Sequence, residues 1–392
     1  MIQKTNLIFI IPFLFLFSCC IDSEKDLLKD FVFVKGGTIE GENQAEGGTE
    51  SPGFVAGGTV EGATELGIVL KPEMVNVKGG TIVGANYAGA PPNGNFPLGR
   101  TVVLSDFAIG KYEVTQEEYE SVMKDQVVRV KGIENVTFSL DSNPSSCQKD
   151  STTYVLFEGE CQERRPVESI TWYDAVWYCN ALSEKLRLKP VYKITVTEVT
   201  SINLSSHITA AEVELIPDAN GYRLPTECEA EYAARGGDVN APDWTYAFSG
   251  ADTEPGKIRQ SVNKGCDEVA WYRYNNRTGV SSTTENREDD TYFSYKGTHE
   301  VGKRKPNRLG IYDMSGNVSE YCYGKINWDV FPKYTGEPEV NPVREDEGGN
   351  RSASIGGSWG SAASGCFAYN FPTNPASLYS DTMGFRVARS LK

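Results

Sequence analysis

Three times in this chain a threonine stands three residues before a carboxylate at the head of a short apolar-periodic run: Thr115 with Glu118, Thr171 with Asp174, Thr226 with Glu229. At that spacing the hydroxyl accepts from the backbone N–H three residues on, and the carboxylate reaches back to the threonine N–H, so each pair fixes a helix start. The pattern predicts helices over 115–123, 175–182 and 226–235, the last halted by Gly236-Gly237. Between them lie short β-like runs such as Val102–Ile109, cut by turn residues drawn from 39 Gly and 19 Pro. The expected class is α+β with little regular secondary structure.

The N-terminal segment reads differently. Lys4 precedes an apolar run from Leu7 to Phe17 that ends in Ser18-Cys19-Cys20. The run is too short to span a bilayer comfortably and stops at a cysteine, so residues 1–19 resemble a bacterial lipoprotein signal peptide, with Cys19 carrying the lipid; an ordinary cleaved signal peptide is the alternative. Residues 20–70 read as a Gly-rich tether of about 40 Å root-mean-square reach. It holds two copies of a phrase, Phe31–Gly41 and Phe54–Gly62, and a third copy, Met74–Gly84, opens a continuous domain over 71–392. The earlier copies read as duplications of that domain's first strand. The stretches 126–164 and 195–216 interrupt the pattern as insertions. An anchored chain of this kind is expected in the cell envelope, on the outer-membrane surface, touching the membrane through its lipid.

Charge narrows the partners. Thirty-eight basic against 53 acidic residues leave a net −15, which gives a phosphate backbone nothing to release counterions against, so no nucleic-acid partner is expected. Two histidines, His207 and His299, lack ligand spacing. Past Cys19 and Cys20, the cysteines at 147, 161, 179, 228, 266, 322 and 366 show no CxxC; Cys147 and Cys161 flank a polar insertion that a disulfide would close, and Cys179, Cys228 and Cys322 read as buried small hydrophobes.

Seven ordered motifs carry a family resemblance: Tyr112–Gln116, Arg165–Ala175, Gly221–Glu227, Glu231–Gly237, Asn307–Val318, Gly356–Trp359 and Gly384–Val387. Over 71–392 the chain resembles the formylglycine-generating, or sulfatase-modifying factor, family. The resemblance implies a C-type-lectin-like fold. From those motifs a core is expected at Trp172, Tyr173, Trp177, Tyr222, Leu224, Tyr232, Trp271, Tyr312, Trp359 and Phe385. It also implies a copper(I) site of two cysteines five residues apart after the Gly-Gly-Ser-aromatic motif. Here those positions are Ser361 and Cys366, and a hydroxyl is neither soft nor ionised at neutral pH, so no copper and no cysteine oxidation are expected. An active oxidase is the alternative. Ala230 and Ser319 stand where the family usually carries Trp.

The block 360–382 departs furthest, with Phe367, Phe371 and Tyr379 where family members carry arginines. Lys, Glu, Gln, Met and Trp, the five residues that adenine-randomised AAC or AAT codons cannot reach, are absent from it. This resembles the retroelement-diversified variable lipoproteins of oral treponemes, and implies a catalytically inactive display scaffold. The expected binding surface has Phe367, Tyr369, Phe371 and Tyr379 as exposed anchors and Ser361, Asn370, Asn374, Ser380 and Asp381 as polar contacts, facing a protein or glycan on another cell. A structural or binding envelope lipoprotein without diversification is a further alternative.

Asn317 and Glu320 match the family's Gly-Asn-Val-x-Glu motif, which lies at a calcium site in some members, so calcium is the one cofactor entertained. A Glu–Asn hydrogen-bond network closing a turn is the other reading of the same residues.

Overall fold

The computed structural model describes residues 31–33, 68–85, 94–149, 151, 153–154, 156–202, 205–253, 262–276, 297–327, 329, 334 and 336–391. Cys19, the apolar run before it and most of the expected tether lie outside the described residues. Among the described residues no helix is long and apolar enough to cross a membrane.

In chain order, β1 (Phe31–Phe33) pairs antiparallel with β2 (Ile68–Leu70), so two strands fall inside the span expected as tether. Val69 already belongs to the core, two residues ahead of the expected boundary. The third copy of the repeated phrase forms not one strand but two, β3 (Met74–Val77) and β4 (Gly80–Val83). The corner between them needs glycine: a Cβ on Gly79 would lie 2.1 Å from the Leu104 carbonyl oxygen. Then come β5 (Thr101–Leu104), β6 (Phe107–Gly110), α1 (Gln116–Met123), β7 (Val127–Val128), β8 (Phe138–Ser139) and α2 (Trp172–Lys185). A long hairpin follows, β9 (Tyr192–Ile202) with β10 (Ser205–Leu215), and after it α3 (Glu227–Ala234) and α4 (Lys264–Val269). The last strands are β11 (Ser319–Tyr321), β12 (Glu339–Val340), β13 (Arg351–Ile355), β14 (Thr373–Pro375), β15 (Met383–Gly384) and β16 (Ala388–Ser390).

All three capping boxes form, on Thr115, Thr171 and Thr226, each worth about 1 kcal/mol by comparison with an alanine cap. The α2 helix begins at Trp172 and runs to Lys185, longer at both ends than its apolar periodicity indicated. The span 195–216 is mostly the β9–β10 hairpin, whose alternation (Ile194, Val196 against Thr195, Thr197) is the mark of a half-buried strand. Ile208 and Val213 of that hairpin pack into the same core as α2.

Three small sheets, ordered β14-β13-β11-β15, β12-β5-β4 and β16-β6-β3, share the interior with these helices. Of the expected core aromatics, Trp172, Tyr222, Tyr232, Trp359 and Phe385 are buried, as is Leu224. Tyr173, Trp177, Trp271 and Tyr312 are half-buried instead: Tyr173 and Trp177 pack on the outside of the core, Trp271 stacks on His299 and Tyr312 packs against Tyr112. Cys179, Cys228 and Cys322 are buried free thiols. Cys147 is also a free, buried thiol, so the 147–161 loop is not closed by a disulfide. Burial pushes its thiol far up, and the Glu168 carboxylate beside it adds to the effect.

Candidate functional site

The Gly356–Trp359 motif ends β13 and turns the chain into the 360–382 block. Gly357 (φ +64°) lets the returning backbone close in, since a Cβ there would meet the Gly365 carbonyl oxygen at 2.5 Å. Ser361, at the first of the two family cysteine positions, is folded into that turn: its Oγ accepts from the Ser358 N–H at 3.0 Å and lies 3.3 Å from the Ser358 hydroxyl. The Ser361 carbonyl accepts from the Arg273 N–H at 2.9 Å. Cys366 follows on a single 3-10 turn, Ala363–Cys366, and is fully buried.

Cys366 is not isolated, as the sequence alone implied. Its neighbour is Cys266 of α4, one hundred positions upstream, and both are buried free thiols in one apolar cluster with Phe248, Tyr272 and Phe367. Burial, with Cys366 alongside, pushes the Cys266 thiol well above its ordinary value. The family positions supply one thiol and one hydroxyl, and a serine hydroxyl is neither soft nor ionised at neutral pH, so the residues there do not fit a two-thiolate ion.

Trp359 pins both ends of the block. Its indole Nε1 donates to the Asp381 carbonyl at 2.8 Å, its N–H donates to the Asn317 carbonyl at 2.8 Å, and its own carbonyl accepts from the Asn276 side chain. Tyr154 packs edge-on against the indole and donates its hydroxyl to the Asp381 carboxylate.

Between those ends the structure redistributes the expected contacts. Phe367 and Tyr369 are 5% and 2% exposed, core residues and not surface anchors. Phe367 packs on Phe248 at 5.4 Å, and Tyr369 lies 5.1 Å under the Arg235 guanidinium, so each fills a space the scaffold would otherwise leave empty. Phe371 is half-buried beside Ile326 and Thr373 at the edge of a cleft. Asn370 donates to the Gly365 carbonyl at 3.2 Å, Asn374 to the Ser354 hydroxyl at 3.3 Å, and Ser380 bridges Asp381 and Thr382, so these three serve the block's own shape. Only Tyr379 of the four aromatics is exposed. Pro372, Pro375, Ser377 and Leu378 join it at the surface, so most of the block's exposed residues fall in 372–379, with Gly360 and Ser364 exposed as well.

Tyr379 rests on a residue the sequence did not single out for this place. Its ring stacks on His207 of β10 at 5.1 Å and 10°. The His207 Nδ1 lies 2.8 Å from Asp174 Oδ2, and Asp174 also accepts from the Ile208 and Thr171 N–H groups. Burial opposes charge on His207, but the hydrogen bond and charge of Asp174 outweigh it, and the ring's pKa is raised.

The motif residues Asn317 and Glu320 serve the fold. Both Glu320 oxygens are held by the Arg386 guanidinium, and Asn317 donates to Glu113 at 2.7 Å and to the His299 carbonyl at 3.2 Å. A calcium ion there would have to displace Arg386 from a fully buried pair, so the hydrogen-bond reading of that motif is the one these contacts support. Among the described residues no three His, Cys, Asp or Glu side chains gather as a metal-holding group.

The comparisons agree with this architecture. The chaperone protein LppX of Paenibacillus barcinonensis is 38% identical over 259 residues, 65% of this chain and 73% of that protein. The formylglycine-generating enzyme of Thermomonospora curvata is 26% identical over 321 residues, 80% of this chain and 92% of the enzyme. Among solved structures, Treponema denticola variable protein 1 superposes with a TM-score of 0.54 at 27% identity, covering 81% of this chain and 95% of that one. The sulfatase-modifying factor enzyme 1-like domain matches residues 64–391, and the chain belongs to that family.

Proposed function

We propose that this chain is a binding protein built on an oxidase scaffold, a lipid-anchored envelope protein that displays the 360–382 block to a protein or glycan on another cell. One observation carries the reading: Ser361 stands at a family thiol position with its hydroxyl tied into the Ser358 turn, while Cys366 is sealed beneath the block. Most of the exposed residues form a short face, 372–379, between the fixed Trp359 and Asp381 ends. Holding varied side chains on a fixed backbone lowers the ordering cost of binding. The likeness to Treponema denticola variable protein 1 supports the diversified form of this reading.

The test has three arms. Purified protein is expected to leave a sulfatase-type cysteine peptide unchanged with copper(I), and formylglycine production would overturn the reading. A near-identical genomic repeat of the coding block, differing only where the repeat has adenine and lying beside a reverse-transcriptase gene, is expected; its absence removes diversification. Detergent partitioning should be lost in Cys19→Ala, and a wild-type protein found wholly in the soluble fraction would remove the anchor.

The 38% identity to a protein described as a chaperone favours a second reading, in which the bound partner is an unfolded client. Suppression of client aggregation at stoichiometric ratio, undiminished after replacing 372–379 with a Gly/Ser segment of equal length, would favour it over the display reading.

A further inference from the structure

A cleft of about 450 Å³ opens between α3, β12, the 342–346 segment and the start of β14, a size in the range of small-molecule sites. Its charges are unevenly matched. The Arg100 guanidinium spends Nε and Nη2 on Glu339 at 3.0 and 2.9 Å and Nη1 on the Asn95 carbonyl at 2.8 Å. Arg344 is held by Asp346 at 2.8 Å. Each cation therefore has its own carboxylate, and Glu227 is left over: no hydrogen-bond donor or ion-pair partner reaches it among the described residues.

Burial pushes the Glu227 carboxyl up to about 7; the charges of Arg344 and Arg100 pull it down, while Glu231 and Asp346 push the same way as burial. A second group in the wall is also unsatisfied. Asn95 is 9% exposed, and its Nδ2 finds no acceptor among the described residues. A buried amide donor without a partner costs free energy unless something polar meets it. The same cleft is lined by two apolar surfaces, the ring of Phe371 and the ring of Tyr334, which lies 4.9 Å from Arg100.

We propose that the cleft binds a protonated primary amine with a hydrogen-bond acceptor beside it on a small aromatic or apolar body. The ammonium pairs with Glu227, the acceptor takes the Asn95 Nδ2 proton, and the body covers Phe371 and Tyr334. An anion is disfavoured because both arginines are already neutralised by carboxylates. The site goes beyond the display reading and stands whether or not the block is diversified, since only Phe371 and Thr373 of the cleft belong to that block.

Phenylalaninol, which carries an ammonium, a hydroxyl and a ring, is the probe, with N-acetylphenylalaninol as its neutral counterpart. Titration of the full chain at pH about 8, followed by NMR shifts or calorimetry, should show binding by the amine and at least about tenfold weaker binding by the acetylated compound, one such factor being about 1.4 kcal/mol. Glu227→Gln should cause a comparable loss, Asn95→Ala a smaller one, and lowering the pH to about 5.5 should weaken amine binding as Glu227 takes up a proton. Equal binding of both compounds, no binding of the amine at tens of millimolar, or full affinity in a folded Glu227→Gln variant would each overturn the proposal. The two-compound comparison uses wild-type protein and so does not depend on the variants folding.

Discussion

The Arg386 guanidinium grips both carboxylate oxygens of Glu320, and neither side chain reaches solvent. Two further guanidinium donors go to the Gly110 and Tyr312 carbonyls at 2.9 Å, so one residue near the C-terminus joins β6, β11 and the 307–318 motif. Removing one partner of a pair this deep leaves the other charge uncompensated. Arg386→Met should cost about 3–5 kcal/mol in urea unfolding, and adding Glu320→Gln to it should recover part of that loss. If Arg386→Met unfolds like wild type, the pair is not what locks these elements together.

Glu168 gives the stability a pH dependence of definite sign. Burial pushes its carboxyl up to about 7, although the Cys147 N–H and the Ser169 hydroxyl both donate to it. A folded value above the ordinary 4.5 means the native state holds this proton more tightly than the unfolded chain does. The contribution is therefore full below about 4.5 and lost as the pH rises to about 7. His299 pulls the other way, since burial lowers its pKa and favours the neutral native ring as the pH rises toward 6.5. The informative quantity is thus the difference between wild type and Glu168→Gln. The melting temperature of the variant should gain on that of wild type between pH about 5 and about 7.5, and parallel curves would remove Glu168 from the account.

Two tyrosines of one block should respond in opposite ways. Tyr369→Ala empties a buried site beneath Arg235 and should cost about 3–5 kcal/mol. Tyr379→Ala removes a 39% exposed ring resting on His207 and should cost under about 1 kcal/mol while changing any ligand capture. Thermal melts of the two variants decide it; equal losses would mean that the block is uniformly core or uniformly surface.

Thiol reactivity checks the site chemistry. Cys147, Cys179, Cys228, Cys266, Cys322 and Cys366 are all buried, and burial pushes the thiols of the first five upward. Native protein should leave these six unmodified by a thiol-specific disulfide reagent over minutes and expose them in denaturant. Fast labelling of Cys366, located by peptide mapping, would show an accessible thiol at the family position.

How much of this was legible follows the range of each signal. The capping boxes are local: Thr115, Thr171 and Thr226 state their helix starts within four residues, and the structure forms all three. The β9–β10 hairpin was legible too, in the alternation from Tyr192 to Val196, but it reads as an insertion when viewed only as an interruption between motifs. The meeting of Cys266 with Cys366 is not local at all, and no spacing rule spans one hundred positions. Burial within the block misled for a chemical reason. Phe367 and Tyr369 look like contact residues by composition, yet an aromatic ring fills a buried space as readily as it meets a ligand, and composition does not distinguish the two outcomes. Glu320 was legible as a motif member but not as a partner, because its claimant, Arg386, arrives 66 residues later from the link between β15 and β16.

The bond from the Trp359 indole to the Asp381 carbonyl also fixes the block's length. Its two ends are fastened to one indole, and the chain between is counted out by the Cys366–Tyr369 core residues and by the β13–β14 register, Arg351 on Pro375 and Ala353 on Thr373. A deletion of one residue inside 360–375 would drag either the buried ring of Tyr369 or the strand pairing out of step, and one inside 376–380 would pull Asp381 away from the indole, whereas a substitution at 377, 378 or 379 disturbs none of these. The segment can change its letters but not their number.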